Sequence, residues 1–153
     1  MPSVIQLATR FFGALECSEE STITFPSGIP PFADQKFVVI SSEDTPVVFL
    51  QSATTPELCF LTVPMQTLDP EYRVQMERFD REALQLDVEP GTAEQLTCLA
   101  ILTIPERGSP TANLAAPVVI NPTRNIGVQA VRSDRAYSHA HPVEPVTAGG
   151  EKC

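Results

Sequence analysis

Apolar positions along the chain fall in short runs, and most of those runs are closed by prolines or turn residues. Val4–Phe12, Thr22–Phe25, Lys36–Ser41, Val47–Ser52, Cys59–Val63, Leu96–Ile104, Ala116–Asn121 and Gly127–Arg132 are mostly β-branched or aromatic, the pattern of strands. Gly13, Pro30–Pro31, Asp44–Thr45–Pro46, Thr55–Pro56, Pro90–Gly91, Gly108–Ser109–Pro110 and Asn125 supply the breaks, by fixing φ or by permitting a tight turn. Gln95–Ile104 is the most uniformly apolar stretch, as expected of a strand covered on both faces at the centre of a core. Fifteen prolines leave little room for helices, because proline removes a donor and clashes with the preceding turn. In the longest proline-free stretch between Pro26 and Pro122, Glu77–Leu86 combines good helix formers with Phe79, Leu84 and Leu86, so one short helix is predicted around residues 77–86. The whole reads as an all-β, mainly antiparallel fold, a single barrel-like or sandwich domain over residues 1–132. From Ser133 large apolar groups become sparse, and residues 133–153 are expected to form a mobile C-terminal tail.

The length of 153 residues, 42% of them apolar, fits one domain with a real core. No apolar run approaches the roughly eighteen residues of a membrane-spanning helix, so no membrane partner is expected. Met1–Phe12 has one basic residue and no apolar stretch followed by a small-residue cleavage site, so a cytoplasmic location is predicted. Ten Lys and Arg against 19 Asp and Glu give a net charge of −9. Direct nucleic-acid binding is not expected of such a chain, because affinity for phosphate backbones comes largely from cations displacing counterions. The charge is uneven: Met1–Glu106 holds 16 acids and 5 bases, Arg107–Cys153 3 acids and 5 bases. An acidic solubilising surface and a dedicated acidic docking face both fit this distribution.

Candidate chemistry is thin. Cys17, Cys59, Cys98 and Cys153 are too far apart for the close pairs of zinc or redox motifs and read as reduced thiols. His139 and His141 both fall in the expected tail, which cannot readily hold a base within reach of a nucleophile. Adjacent acids such as Glu19–Glu20 and Glu43–Asp44 point to opposite faces of a strand and more often cap turns. The usual phosphate-cradle and nucleophile-elbow motifs are absent. No catalytic residue, metal site or cofactor is predicted.

Phe25-Pro26-Ser27-Gly28-Ile29-Pro30-Pro31-Phe32 resembles the opening signature of the FliW family of flagellar assembly factors. In order there follow Glu43–Pro46, Phe49–Ser52, Pro56–Phe60, Asp69–Tyr72, the strong block Thr111–Asn121, then Gly127 and Gln129, and Tyr137 with His141–Pro142. The resemblance runs from about Thr22 to Pro142, and several blocks in correct order are more specific than one motif. Pro31 stands where the family usually has glycine, Thr62–Leu68 lacks the family's aromatic character, and Val143–Cys153 has no clear counterpart. The resemblance implies a cytoplasmic, monomeric, non-enzymatic partner switch. It would bind CsrA, a basic RNA-binding translational repressor, and keep it off flagellin messenger RNA until newly made flagellin takes its place. Allosteric antagonism and blockade of the RNA surface both remain open. So do a flagellin-specific chaperone without CsrA control, and a β-barrel hydrolase or small-molecule binder sharing only the scaffold.

Glu43, Asp44, Glu57, Asp69 and Glu71 lie at predicted turns and are the candidate contacts for a basic partner, with Tyr72 as an amphipathic anchor or as a ring buried on the predicted helix. Phe25, Ile29 and Phe32 read first as a core-closing turn and second as partner contacts, with Gly28 supplying φ freedom between them. Gln51, Ser52, Asn113 and Asn121 sit beside apolar runs, where hydrogen bonds to loop backbone are the commoner reason for such residues.

Overall fold

The computed structural model describes residues 4–86 and 96–143. β1 (Val4–Ala8) and β2 (Ala14–Ser18) form an antiparallel hairpin of their own. β3 (Thr22–Thr24), β4 (Lys36–Ser42), β5 (Thr45–Ser52), β6 (Cys59–Pro64), β7 (Thr97–Thr103), β8 (Thr111–Asn121) and β9 (Ile126–Gln129) then run antiparallel, each beside the last. β9 also meets β3 in parallel, through Thr24 and Ile126, and this contact closes seven strands into a barrel. β10 (His141–Pro142) adds to the start of β8. The expected all-β barrel is thus the observed fold. Among the described residues no helix is long and apolar enough to cross a membrane.

Four elements depart from the expectation. The run Val4–Phe12 stops at Ala8, because Gly13, at φ 66°, reverses the chain and Thr9 Oγ1 donates to its carbonyl at 2.6 Å. The return strand β2 went unpredicted, since Ala-Leu-Glu-Cys-Ser holds no β-branched residue. The predicted helix is shorter, α2 (Arg78–Ala83), with Gln85 at φ 57° just beyond it, and a one-turn helix α1 (Met65–Leu68) follows Pro64. β8 begins at Thr111 rather than Ala116. Its register against β7 jumps from Asn113 opposite Ile101 to Val118 opposite Leu99, a bulge in which Pro117 needs no ladder donor. Asn113 Oδ1 closes the bulge by accepting from the amides of Ala115 and Ala116, each at 3.0 Å.

Alternation along the strands sorts the apolar residues into two layers. Ile23, Phe25, Phe37, Leu50, Leu99, Val118 and Ile120 come from around the barrel and fill it, with Ile29. Their neighbours of opposite parity, Val63, Cys98, Ala100 and Val119, face outward, where Met65, Tyr72 and Leu84 cover them. The segment from α1 to α2 therefore forms an outer wall over one side. Burial pushes the Cys59 thiol up to about 11 and the Cys98 thiol up to about 12. Both thiols are expected to stay protonated at pH 8, and a thiolate-selective reagent is expected to label them only through opening of the fold. Burst labelling of either residue in native protein, read by mass spectrometry, would contradict this placement.

Candidate partner-binding surface

Of the five candidate acids, four are exposed on turns. Glu43 and Asp44 form the tip of the β4–β5 hairpin, where Ser42 Oγ accepts from the Asp44 amide at 3.2 Å. Glu57 lies on the β5–β6 turn. The eight residues of β5 separate these turns, about 25 Å of extended chain, so they belong to opposite ends of the strand. Glu71 is exposed near α1, but Asp69 is committed internally, its carboxylate accepting from the Glu71 amide at 3.0 Å and from the Tyr137 hydroxyl at 2.8 Å. The acids thus give several separate negative turns rather than one pocket.

Tyr72 is 5% exposed and makes an interior contact, not a surface anchor. Its hydroxyl donates to the Leu114 carbonyl at 2.7 Å, and its ring meets that of Tyr137 at 4.6 Å rather than lying only on the helix. The Arg132 guanidinium stands 5.1 Å from the Tyr72 ring and 4.8 Å from the Tyr137 ring. It donates to both Asp134 oxygens, at 2.8 and 2.7 Å, and to the Arg73 carbonyl at 2.6 Å. The Leu114 amide donates to Ser138, and the Val143 amide to Pro110. So the part of the expected tail from Ser133 to Val143 is pinned to the outer wall by the Tyr137–Tyr72 ring contact, by the Arg132 guanidinium and by these two backbone hydrogen bonds. The remainder of the expected tail, 144–153, lies outside the described residues. The Asp69 carboxylate raises the Tyr137 phenol, burial raises that of Tyr72, and Arg132 lowers the Asp134 carboxyl.

Gln51 and Ser52 organise the other end of β5. Gln51, fully buried, accepts from the Arg10 amide at 2.9 Å and donates to the carbonyls of Ser52, Pro56 and Leu58 at 3.1 to 3.2 Å. One carboxamide thereby fixes both the β5–β6 turn and the Thr9–Gly13 loop. Phe11 and Phe12, the centre of that loop, are 48% and 40% exposed. They pack on Phe49 at 5.8 and 4.9 Å, while Arg10 reaches the Glu57 carbonyl at 3.4 Å. Phe11 and Phe12 thus form an exposed aromatic pair on the loop whose Arg10 meets the Glu57 backbone. The sequence reading missed it, although two phenylalanines just before Gly13, in a run with no turn of its own, were its signal.

Ser52 Oγ donates to the Asp34 carboxylate and accepts from the amides of Thr54 and Thr55. The Ser52 hydroxyl, first among its partners, holds the Asp34 carboxyl below its ordinary range. A carboxylate lowered in the folded state adds stability above its unfolded value of about 4, and that stability is lost as pH falls through the folded value. The urea midpoint is accordingly expected to fall on acidification below pH 5, and to fall less in Asp34→Asn; equal slopes would remove Asp34 from the account. Asn121 donates to the Leu84 carbonyl at 2.8 Å, tying β8 to the end of α2.

The Phe25–Phe32 turn is mostly interior. Phe25 and Ile29 are fully buried and Gly28 has φ 69°, but Phe32 is 43% exposed and packs by its edge on Phe60 at 5.7 Å. The Pro30–Pro31 bond is cis. Phe32 covers the barrel end instead of entering it. Among the described residues no group of three His, Cys, Asp or Glu is placed to hold a metal ion.

The family model described as FliW protein matches residues 6–143. A flagellar assembly factor FliW from Geobacillus sp. (strain WCH70) is 35% identical over 144 residues, covering 92% of this chain and 96% of the relative. The protein of the same description from Bacillus subtilis (strain 168) is 34% identical over 148 residues, covering 95% and 97%. A solved crystal structure of the flagellar assembly factor FliW superposes with a TM-score of 0.81 at 32% identity, covering 94% of this chain and all of that one.

Proposed function

The chain belongs to the FliW family of flagellar assembly factors, and from that premise we propose that it is a cytoplasmic, non-enzymatic partner switch, monomeric when free, that binds a CsrA-type repressor and flagellin. The observation that supports this reading is the combination of net charge −9 with acids exposed on separate turns. An RNA-binding repressor presents cations, so Glu43, Asp44, Glu57 and Glu71 steer its approach while RNA itself is repelled. The Phe11–Phe12 loop beside Glu57 supplies the desolvated centre that charges on a rim cannot. No catalytic or cofactor-dependent step is needed for such a switch.

Calorimetric titration against CsrA at two salt concentrations, repeated with flagellin saturating, tests the reading. Binding that weakens with salt and vanishes when flagellin is present supports mutually exclusive, electrostatically steered complexes. Flagellin binding without any CsrA signal would replace it with a flagellin-specific chaperone. Within the CsrA complex, Phe12→Ala is expected to weaken binding by about tenfold or more, as for a hot-spot aromatic. Neutralising Glu43 and Asp44 changes affinity by only about 1 kcal/mol or less and shows mainly as a slower on-rate with flatter salt dependence. An unchanged on-rate at low salt would take that hairpin tip out of the interface.

A further inference from the structure

Where β3 and β9 close the barrel, a cavity of about 320 Å³ opens against β1, lined among others by Ile5, Glu19, Thr22, Thr24, Lys36 and Arg124. Its sign runs against the rest of the molecule. The chain carries only 10 Lys and Arg against 19 acids, yet two of those cations share this cavity with one carboxylate. The ion pairs found among the described residues are Arg78 with Glu82 and Arg132 with Asp134, so neither Lys36 nor Arg124 is neutralised by a carboxylate there. Arg124 spends one donor on the Gln85 side chain, at 3.3 Å.

Two further observations say what would fit. Free phosphate is typically held by converging backbone N–H groups, whereas here the Thr24 amide already donates to Asn125 and the Ala53 amide to Lys36. The site offers long cationic side chains and threonine hydroxyls, which suit a carboxylate or a phosphate oxygen alike, so the choice between them rests on what lies beside the cations. The second is the strand that contributes Ile5 to the lining. β1 pairs only with β2 among the described residues, so one edge of Val4–Ala8 has no strand neighbour, and Ile5 of this strand lines the cavity. An open edge accepts an added strand through main-chain hydrogen bonds, while adjacent pockets choose its side chains.

We infer that this groove docks an extended acidic segment of a protein partner, its backbone added to β1 and a carboxylate set between Lys36 and Arg124. Glu19, which shares the lining, penalises a second negative charge and so disfavours small dianions. Ala53 of the β5–β6 connection also lines the groove, so a surface that prefers an acidic segment adjoins the turn that carries Glu57.

The test is a titration of the ¹⁵N-labelled full chain, followed by amide shifts, with a capped octapeptide of alternating Thr and Glu. Its Thr and Lys counterpart and inorganic phosphate serve as separate arms. The Thr/Glu peptide is expected to shift Ile5, Thr24, Lys36 and Asn125, with affinity lowered about tenfold in Lys36→Glu/Arg124→Glu. Glu19→Gln is expected to tighten binding about twofold, a gain that misfolding cannot produce. Shifts elsewhere only, equal binding of the lysine peptide, or insensitivity to both sets of substitutions would overturn the inference. The same shifts from phosphate at equal concentration would overturn it in favour of a free-anion site.

Discussion

Gly28→Ala is expected to lower the stability of the fold by about 3 kcal/mol, seen as a drop in the urea midpoint and a thermal midpoint lower by about 6–12 °C. Two independent penalties act at this one position. Gly28 sits at φ 69°, a conformation in which a Cβ crowds the following carbonyl. Beyond that, a Cβ here would lie 2.6 Å from the backbone oxygen of Phe32 and 3.3 Å from that of Asp34. Neither atom is the end of a flexible side chain, so the turn itself must move. The turn is held where it is by the Gly28 amide donating to Phe25 and the Phe32 amide donating to Ile29. Phe25 and Ile29, on either side of Gly28, are fully buried inside the barrel. Opening the turn therefore withdraws core side chains as well as bending backbone. A loss of no more than about 1–2 kcal/mol, the cost of the dihedral alone, would mean that the turn relaxes without disturbing Phe25 and that the close approach to Phe32 is not a constraint on the core.

The same turn shows which kinds of structural fact the amino-acid sequence discloses. Gly28 was readable because a glycine between apolar residues in a proline-rich bend has few other reasons to be there. Strands β4 to β7 were readable because prolines and turn residues cut the apolar runs close to where the ladders end. Gln51 and Asn121 were readable as backbone binders, a polar amide inside an apolar run having little else to do. Three features were not readable, each for a physical reason. Closure of the barrel rests on Thr24 meeting Ile126, a pairing between strands far apart in sequence that no local pattern encodes. Tyr72 could be given a burial but not a partner, because Tyr137 and Arg132 arrive from the other end of the chain. Glu43, Asp44, Glu57 and Glu71 do lie exposed on turns, yet whether turns gather at one place depends on the lengths of the strands between them. Asp69 shows the remaining difficulty: a carboxylate at a turn looks free in sequence and is occupied in space by a phenol.

Arg132→Met is the second change with a large expected effect, a loss of about 3 kcal/mol together with release of the segment that follows it. Methionine keeps the apolar stem and the approximate length, so the packing volume beside Tyr72 and Tyr137 is largely preserved. What disappears is the guanidinium, whose side chain is only 7% exposed and whose Asp134 partner is 36% exposed. Because Asp134 can rehydrate, the penalty stays below that of a charge stranded in a closed interior. The Arg73 carbonyl loses its donor, and the two tyrosine rings lose the cation that both face. With Arg132 gone, the segment from Ser133 retains the Tyr137–Asp69 hydrogen bond, the Tyr72–Tyr137 ring contact, the Gln75 contacts with Ser133, the backbone bonds Leu114–Ser138 and Val143–Pro110 and the short β10 pairing, but its immediate anchor beside Arg135 is lost. Trypsin cleavage after the exposed Arg135 is the direct readout, expected to accelerate at least tenfold in the variant relative to the parent chain. Tyr137→Phe provides the graded comparison, since it removes one hydrogen bond worth about 1 kcal/mol and leaves the stacked guanidinium in place. If Arg132→Met and Tyr137→Phe destabilise equally and neither speeds cleavage at Arg135, the guanidinium is a bystander and the segment is held by β10 and the aromatic contact alone.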